Sequence, residues 1–362
     1  MKKTIIYMCA CAMSGLMLAT SCQDSMDLQT ANSNTRAVVI DKDIFAVRGR
    51  INVKLEKSAN QALPTSAKGN VEMQSVPSAM SSAMKYAGAY KMERVFKPAG
   101  IYEERTVAEG LDRWYTIYFD ESKDVAEVLQ QFNKAAGVEY AERVLPIARP
   151  KFTAKPYTGP APQTRNQPTA SAFNDPLLAK QWHYYNDGSV SPHAKKGADC
   201  NLKPVWEKYT TGKNNVIVAI VDGGIDITHE DLVDNLYINE KEKNGRAGVD
   251  DDGNGFVDDV YGYNFVEAKD VVGGKIEPDN EGHGTHVAGT VGARNNNGIG
   301  VAGVAGGNGA ADSGVRLMSC QIFRGKDEQG DAAAAIKYAA DNGAVICQNS
   351  WGYSSTSGVT AM

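Results

Sequence analysis

Five consecutive apolar residues, Ile217-Val218-Ala219-Ile220-Val221, run without a polar break into Asp222-Gly223-Gly224. A strand that is apolar at every position has no solvent side, so it asks to be covered on both faces, as strands of parallel sheets are. Asp222 then falls at the carboxyl end of a buried strand, where open α/β sheets place their sites. Further on, Val315 to Phe323 reads as another strand, Asp331 caps an Ala-rich helix through Ala340, Gly343 ends it, and Ala344 to Asn349 returns as a strand. Such a βαβ unit has parallel strands and a right-handed crossover. The fold class expected here is α/β, a partial doubly wound parallel sheet.

Sixty-one positions after Asp222, His283-Gly284-Thr285-His286-Val287-Ala288-Gly289 opens a helix whose small residues allow close packing on a sheet. A serine hydroxyl is a weak nucleophile at neutral pH. It needs a histidine to take its proton and a buried carboxylate to hold that imidazole in the right tautomer. Asp222 and His283 are the candidate catalytic residues for those two roles. The 362 residues contain no Gly-Thr-Ser-x-Ala segment and no Gly-x-Ser-x-Gly elbow, so a candidate nucleophile Ser is missing.

The order Asp then His, with these flanking residues, resembles the subtilisin-like serine protease (subtilase) family from about Asn174 onward to Met362. Asn174-Asp175-Pro176 with Gln181-Trp182-His183 resembles the opening of subtilase catalytic domains, and Asn297 to Ala305 resembles the segment after the histidine helix. Val345 to Gly352 resembles the strand that lines the substrate cleft. The resemblance implies that Ser350, Trp351 and Gly352 bind polypeptide substrates as an added β-strand. Two departures stand out. Gly223 follows the aspartate where the family usually has Ser or Thr, and the family's oxyanion Asn belongs to an Ala-Gly-Asn segment not found here; Asn349 is not its equivalent. The expected function is a serine endopeptidase precursor acting by acyl-enzyme chemistry, its 362 residues being incomplete at the C-terminus and themselves inactive. The alternative is a non-catalytic peptide-binding surface lipoprotein, a pseudo-protease.

From Val47 to Pro146 the pattern reads β-α-β-β-α-β, the ferredoxin-like plan. Ile51, Val53 and Leu55 alternate with polar residues, Ala79, Ala83 and Tyr86 suit a helix, Met92 to Lys97 and Arg113 to Phe119 suit strands, and Val138 to Val144 closes the set. Val125, Val128, Leu129 and Phe132 form a helical stripe, with Ser122 as candidate N-cap and Gly137 as stop. The family resemblance implies a propeptide that acts as intramolecular chaperone and inhibitor; an unrelated adhesion or spacer domain is the other reading. The expected organisation is 1–21 lipoprotein signal peptide, 22–46 tether, 47–147 propeptide, 148–173 Pro-rich linker and 174–362 partial catalytic domain.

Lys2 and Lys3 precede an apolar segment, Ile5 to Leu18, too short to span a bilayer and laid out as an export signal. Ala19-Thr20-Ser21-Cys22 resembles a bacterial lipoprotein processing site, making Cys22 the lipidation site and the lipid the membrane partner; a plain secretory signal is the alternative. The expected location is therefore exported, lipid-anchored in the bacterial cell envelope. Cys200, Cys320 and Cys347 remain, an odd number that gives no disulfide framework. With 38 basic against 43 acidic residues and no basic stripe, nucleic acid is not an expected partner.

Asp250-Asp251-Asp252-Gly253-Asn254-Gly255-Phe256-Val257-Asp258-Asp259 crowds five aspartates into ten residues. Oxygens at Asp250, Asp252, Asn254 and Asp258, with Gly255 at the turn, match a calcium loop, whereas Tyr261 stands where an EF-hand needs Glu. Structural calcium is the expected metal, with a solvated turn as the alternative, and no cofactor is expected for the chemistry.

Overall fold

The structure, a computed structural model, describes residues 40–41, 45–64, 66, 69–148, 173–189, 193–266, 274–278, 281–325 and 328–353. Cys22 and most of the 148–173 stretch lie outside them.

The N-terminal domain is one antiparallel sheet. Its strands are β1 (Arg50–Leu55), β2 (Asn70–Val71), β3 (Lys91–Arg94), β4 (Trp114–Tyr118) and β5 (Val138–Arg143), in the spatial order β2-β3-β4-β1-β5. In β1 the odd positions Ile51, Val53 and Leu55 are buried and Arg50, Asn52 and Lys54 are half-exposed, the period-two pattern of a sheet with one core face. That face is covered by α1 (Ser81–Ala87) and by α3 (Val125–Lys134), which contribute Ala83, Met84, Ala87, Val125, Val128 and Phe132 to a single core. Additions to the sequence pattern include a strand pair of Ile40–Asp41 with Ala46–Val47, a short helix Lys57–Gln61, the edge strand β2 and a helix α2 (Glu103–Ala108) between β3 and β4. The cap of α3 also differs from expectation. Asp124, not Ser122, accepts from the Glu127 amide at 2.8 Å. Ser122 lies in the preceding turn, where its own amide is held by Asp120, so the helix starts later.

A further strand, β6 (Ile147–Ala148), leaves this domain and pairs elsewhere. The C-terminal domain is built on a parallel sheet of β7 (Ile217–Asp222), β8 (Gly262–Asn264), β9 (Arg316–Gln321) and β10 (Ile346–Asn349), ordered β8-β9-β7-β10. Every neighbouring pair is parallel, and Asp222 stands opposite Gln321 at the shared carboxyl end. Both faces are covered at the central strands β7 and β9, whereas the edge strand β10 stays partly exposed, Ile346 by 52%. Val218, Ile220 and Leu317 meet Val287 and Ala288 of α4 (His283–Gly292), whereas Ala219, Val221, Met318 and Cys320 meet Ala335, Tyr338 and Ala339 of α5 (Ala332–Asp341). Asp331 caps α5 by accepting the Ala334 amide at 2.9 Å. The continuous apolar run is thus explained by burial on two sides. A two-residue strand, β11 (Gly352–Tyr353), follows β10.

Candidate active site

Asp222 ends β7 and His283 begins α4, so the two come from separate elements and meet at the carboxyl edge of the sheet. His283 Nδ1 lies 2.8 Å from Asp222 Oδ1. Asp222 is fully buried and His283 nearly so, which makes the contact dry and directional. The Gly223 amide also donates to Asp222 Oδ1, at 2.6 Å. Asp222 Oδ2 finds no hydrogen-bond partner among the described residues. A hydroxyl at position 223 is one group that could have reached it, and glycine has none.

Two residues of the histidine heptapeptide, Gly284 and Thr285, and Ser319, which no local pattern singled out, hold this geometry. Gly284 has no side chain because a Cβ there would collide with the carbonyl oxygen of Gly224, which lets the start of α4 press against the Asp222-Gly223-Gly224 turn. Thr285 Oγ1 accepts the Asp226 amide at 2.9 Å, and Ser319 Oγ of β9 accepts the Ile225 amide at 3.1 Å. The turn is pinned from both neighbours.

Ser350, Trp351 and Gly352 lie beside this edge. The Trp351 indole N–H donates to the Val221 carbonyl at 2.9 Å, one residue before the aspartate. Gln348 donates to Ser350 Oγ at 2.9 Å. Gly352 and Tyr353, forming β11, are paired antiparallel with Ala148 and Ile147 of β6. Ile147 is buried in the same apolar cluster as Val221 and Tyr338, and its carbonyl accepts from Gln329 at 2.5 Å. A segment from the end of the N-terminal domain therefore pairs with Gly352, one of the three residues expected to bind peptide, and with its neighbour Tyr353.

The aspartate loop is folded around its own amides. Asp250 accepts the amides of Gly253 and Asn254 through Oδ1 and of Gly255 through Oδ2. Asp252 accepts from the Asn254 amide and from the Asn239 side chain. The structure brings Asp250 and Asp252 together with Glu242, their ligand atoms all within 4.8 Å of one another. Glu242 stands outside the ten-residue run and carried no local signal. Asp258 is not in that group: it turns away to accept the Gly248 amide. Asn254 uses its side-chain N–H groups on Asp252, Asp259 and Asn342. Asp259, fully buried behind the loop, takes bonds from Tyr338, Asn254 and Asn239, yet burial still pushes its pKa up to about 7.

A buried carboxylate in hydrogen-bond contact with a histidine, at the carboxyl edge of a parallel sheet, has the geometry that an acid–base pair on an α/β scaffold requires. Residues 213–361 match the subtilase family, and residues 51–188 match the N-terminal region of the subtilase family. By these two matches the chain belongs to the subtilase family. Subtilisin-like protease 1 of Plasmodium falciparum is 39% identical over 147 residues, covering 39% of this chain and 19% of that protein. Neuroendocrine convertase 2 of Bos taurus is 36% identical over 145 residues, 40% of this chain and 19% of that protein. Among solved structures, fervidolysin from Fervidobacterium pennivorans, a keratinolytic enzyme related to subtilisin, is 20% identical with a TM-score of 0.48, over 93% of this chain and 41% of that one. The matched stretch spans about a fifth of the length of these curated relatives.

Proposed function

We propose that these 362 residues hold the propeptide and the first part of the catalytic domain of a subtilisin-like serine endopeptidase precursor, exported and lipid-anchored at Cys22. The observation that carries the enzymatic reading is the 2.8 Å contact of His283 Nδ1 with buried Asp222. With Nδ1–H on the carboxylate, the other ring nitrogen is the one that takes the proton of an attacking serine and returns it to the leaving amine. Asp222 fixes the tautomer and steadies the imidazolium. No Gly-Thr-Ser-x-Ala or Ala-Gly-Asn segment occurs within these 362 residues, so by themselves they are expected to hydrolyse no peptide bond.

Peptide binding is assigned to Ser350, Trp351 and Gly352; the β6–β11 pairing supports it at Gly352, since strand addition draws on main-chain hydrogen bonds that any extended peptide offers. The same pairing supports the N-terminal domain as inhibitor, since its last strand occupies the place a substrate would take. Its strand order, with two helices on one face, supports a ferredoxin-like propeptide carrying one extra edge strand. The three clustered carboxylates, all hard oxygen donors, fit calcium, held by Glu242, Asp250 and Asp252 in place of the set ending at Asp258.

The deciding experiment is labelling with a serine-directed fluorophosphonate. A version extended through a Gly-Thr-Ser-x-Ala segment should label, and His283→Ala should abolish the label; His283-dependent labelling of the 362-residue protein would overturn the assignment of the nucleophile. Fatty-acid labelling in cells that is equal for the wild type and Cys22→Ala would remove the lipid anchor. A melting temperature unmoved by calcium, in wild type as in Glu242→Gln, would leave the loop as a turn only.

A further inference from the structure

Between β3 and β4 the N-terminal domain sends out a turn, Pro98-Ala99-Gly100-Ile101-Tyr102, that leads into α2 and meets the aspartate loop backbone to backbone. The Ile101 amide donates to the Gly253 carbonyl at 2.8 Å. Both sides of this approach require glycine. A Cβ on Gly100 would run into the Gly253 carbonyl, and one on Gly255 into the Pro98 carbonyl; the two glycines hold φ at +50° and +94°.

The turn is braced from behind. Buried Arg94 pairs through Nη1 with Glu103 at 2.7 Å, and the other Glu103 oxygen accepts the Ala99 amide at 2.9 Å. Beyond it, Arg105 of α2 pairs with Asp341, the last residue of α5, which Lys337 also holds. On the opposite side the loop is shaped by Asp250, Asp252 and Glu242 accepting its amides, and is tied to α5 through Asn342. Each of the two surfaces is therefore held largely by contacts of its own domain.

We propose that this glycine-lined contact is a second docking point of the N-terminal domain, separate from the β6 strand, and that it supplies the selectivity for the protein's own propeptide. The proposal rests on the inhibitor reading. Strand addition at β11 uses main-chain groups common to all peptides, so it cannot by itself favour the propeptide over a substrate. A second contact on the same rigid domain can, because once one point is engaged the other binds at high effective concentration. The contact also links inhibition to the state of the aspartate loop, since whatever reshapes residues 253–255 moves the surface that the turn reads.

The test uses the full 362-residue protein with a specific protease site placed within residues 149–172, cut to leave the two domains held only by non-covalent contacts. In the wild type the pieces should remain associated, with the Ile101 amide protected from hydrogen exchange. Gly100→Ala should weaken their association by roughly tenfold or more and expose that amide, while protection of β4, inside the N-terminal core, stays unchanged. Association equal to wild type in Gly100→Ala would overturn the second docking point and leave the β6 reading standing. Wild-type pieces that separate freely would overturn the inhibitor reading itself. Should Gly100→Ala lose the β4 protection, charge reversal decides: Arg105→Asp must weaken association and Arg105→Asp with Asp341→Arg must restore it, and failure of either overturns the proposal.

Discussion

The two sheets of this protein solve opposite problems. The antiparallel sheet of the N-terminal domain has one core face, and its core is drawn from Ala46 to Ala141 without help from the rest of the sequence. The parallel sheet is covered on both faces at its central strands and buries far more polarity: Asp175, Asp222, Asp231, Asn235, Asp259, Arg294 and Gln321 are all inside. Each such group is stable there only while partnered, and most of the partners come from distant segments. The first domain draws its core from one continuous stretch of sequence and buries few polar groups. The second depends on many long-range polar contacts being made together.

Among the described residues, buried side-chain atoms without a hydrogen-bond partner occur on Arg94 in one domain and Asp222 in the other. Arg94 braces the docking turn and Asp222 orients the histidine.

The sharpest way to break the comparison is to open the N-terminal core. Phe132→Ala, at a fully buried site under the sheet, should destabilise that domain by about 3–5 kcal/mol. Loss of hydrogen-exchange protection across β1 to β5 would report it. A segment spanning 46–148 should unfold cooperatively on its own, and a featureless transition there would refute its independence. Next is the polar interior of the C-terminal domain. Asn235 donates to the carbonyls of Gly292 and Gly306 at 2.9 and 3.0 Å and accepts from Arg294 at 3.0 Å. Asn235→Ala leaves all three short of a partner and should cost about 2–3 kcal/mol, seen in denaturant titration as loss of the C-terminal transition alone.

A smaller effect is expected from pH. Burial raises the pKa of Asp175, with Asp231 adding to the rise, although the amides of Asn296 and Asn297 donate to it. A carboxyl raised on folding contributes stability that is complete below its unfolded pKa and is lost as pH climbs through the folded value. The C-terminal domain should therefore lose part of its stability as pH climbs above the ordinary aspartate range, about pH 4, on account of this group. Asp175→Asn should flatten that slope, and an unchanged slope would contradict the assignment. The smallest change belongs to the surface of the N-terminal sheet, where Glu139 pairs with Lys54 at 2.6 Å and with Arg113. Being partly exposed, it is worth at most about 1 kcal/mol, so Glu139→Gln should shift the N-terminal transition only slightly and less at high salt.

What could be read from residues alone was whatever repeats at short range or travels as a motif. The apolar run at 217–221 implied a doubly covered strand, the alternation at 51, 53 and 55 a one-sided one, and Asp222 with His283 a hydrolytic pair. Asp331 capped its helix as its position suggested, whereas the cap at Ser122 moved to Asp124 because two acceptors compete within one turn and only the final backbone path chooses between them. Tertiary structure alone decided the rest. Gly284 is needed because Gly224 passes against it, Glu242 joins Asp250 and Asp252 across a loop, Asp258 turns away to a glycine amide, and Ile147–Ala148 crosses to lie on Gly352–Tyr353. These contacts depend on where the backbone finally runs, and most join segments far apart in the sequence. Periodicity and propensity act over a few residues, and no local pattern encodes which distant carbonyl, carboxylate or strand edge folding will bring alongside.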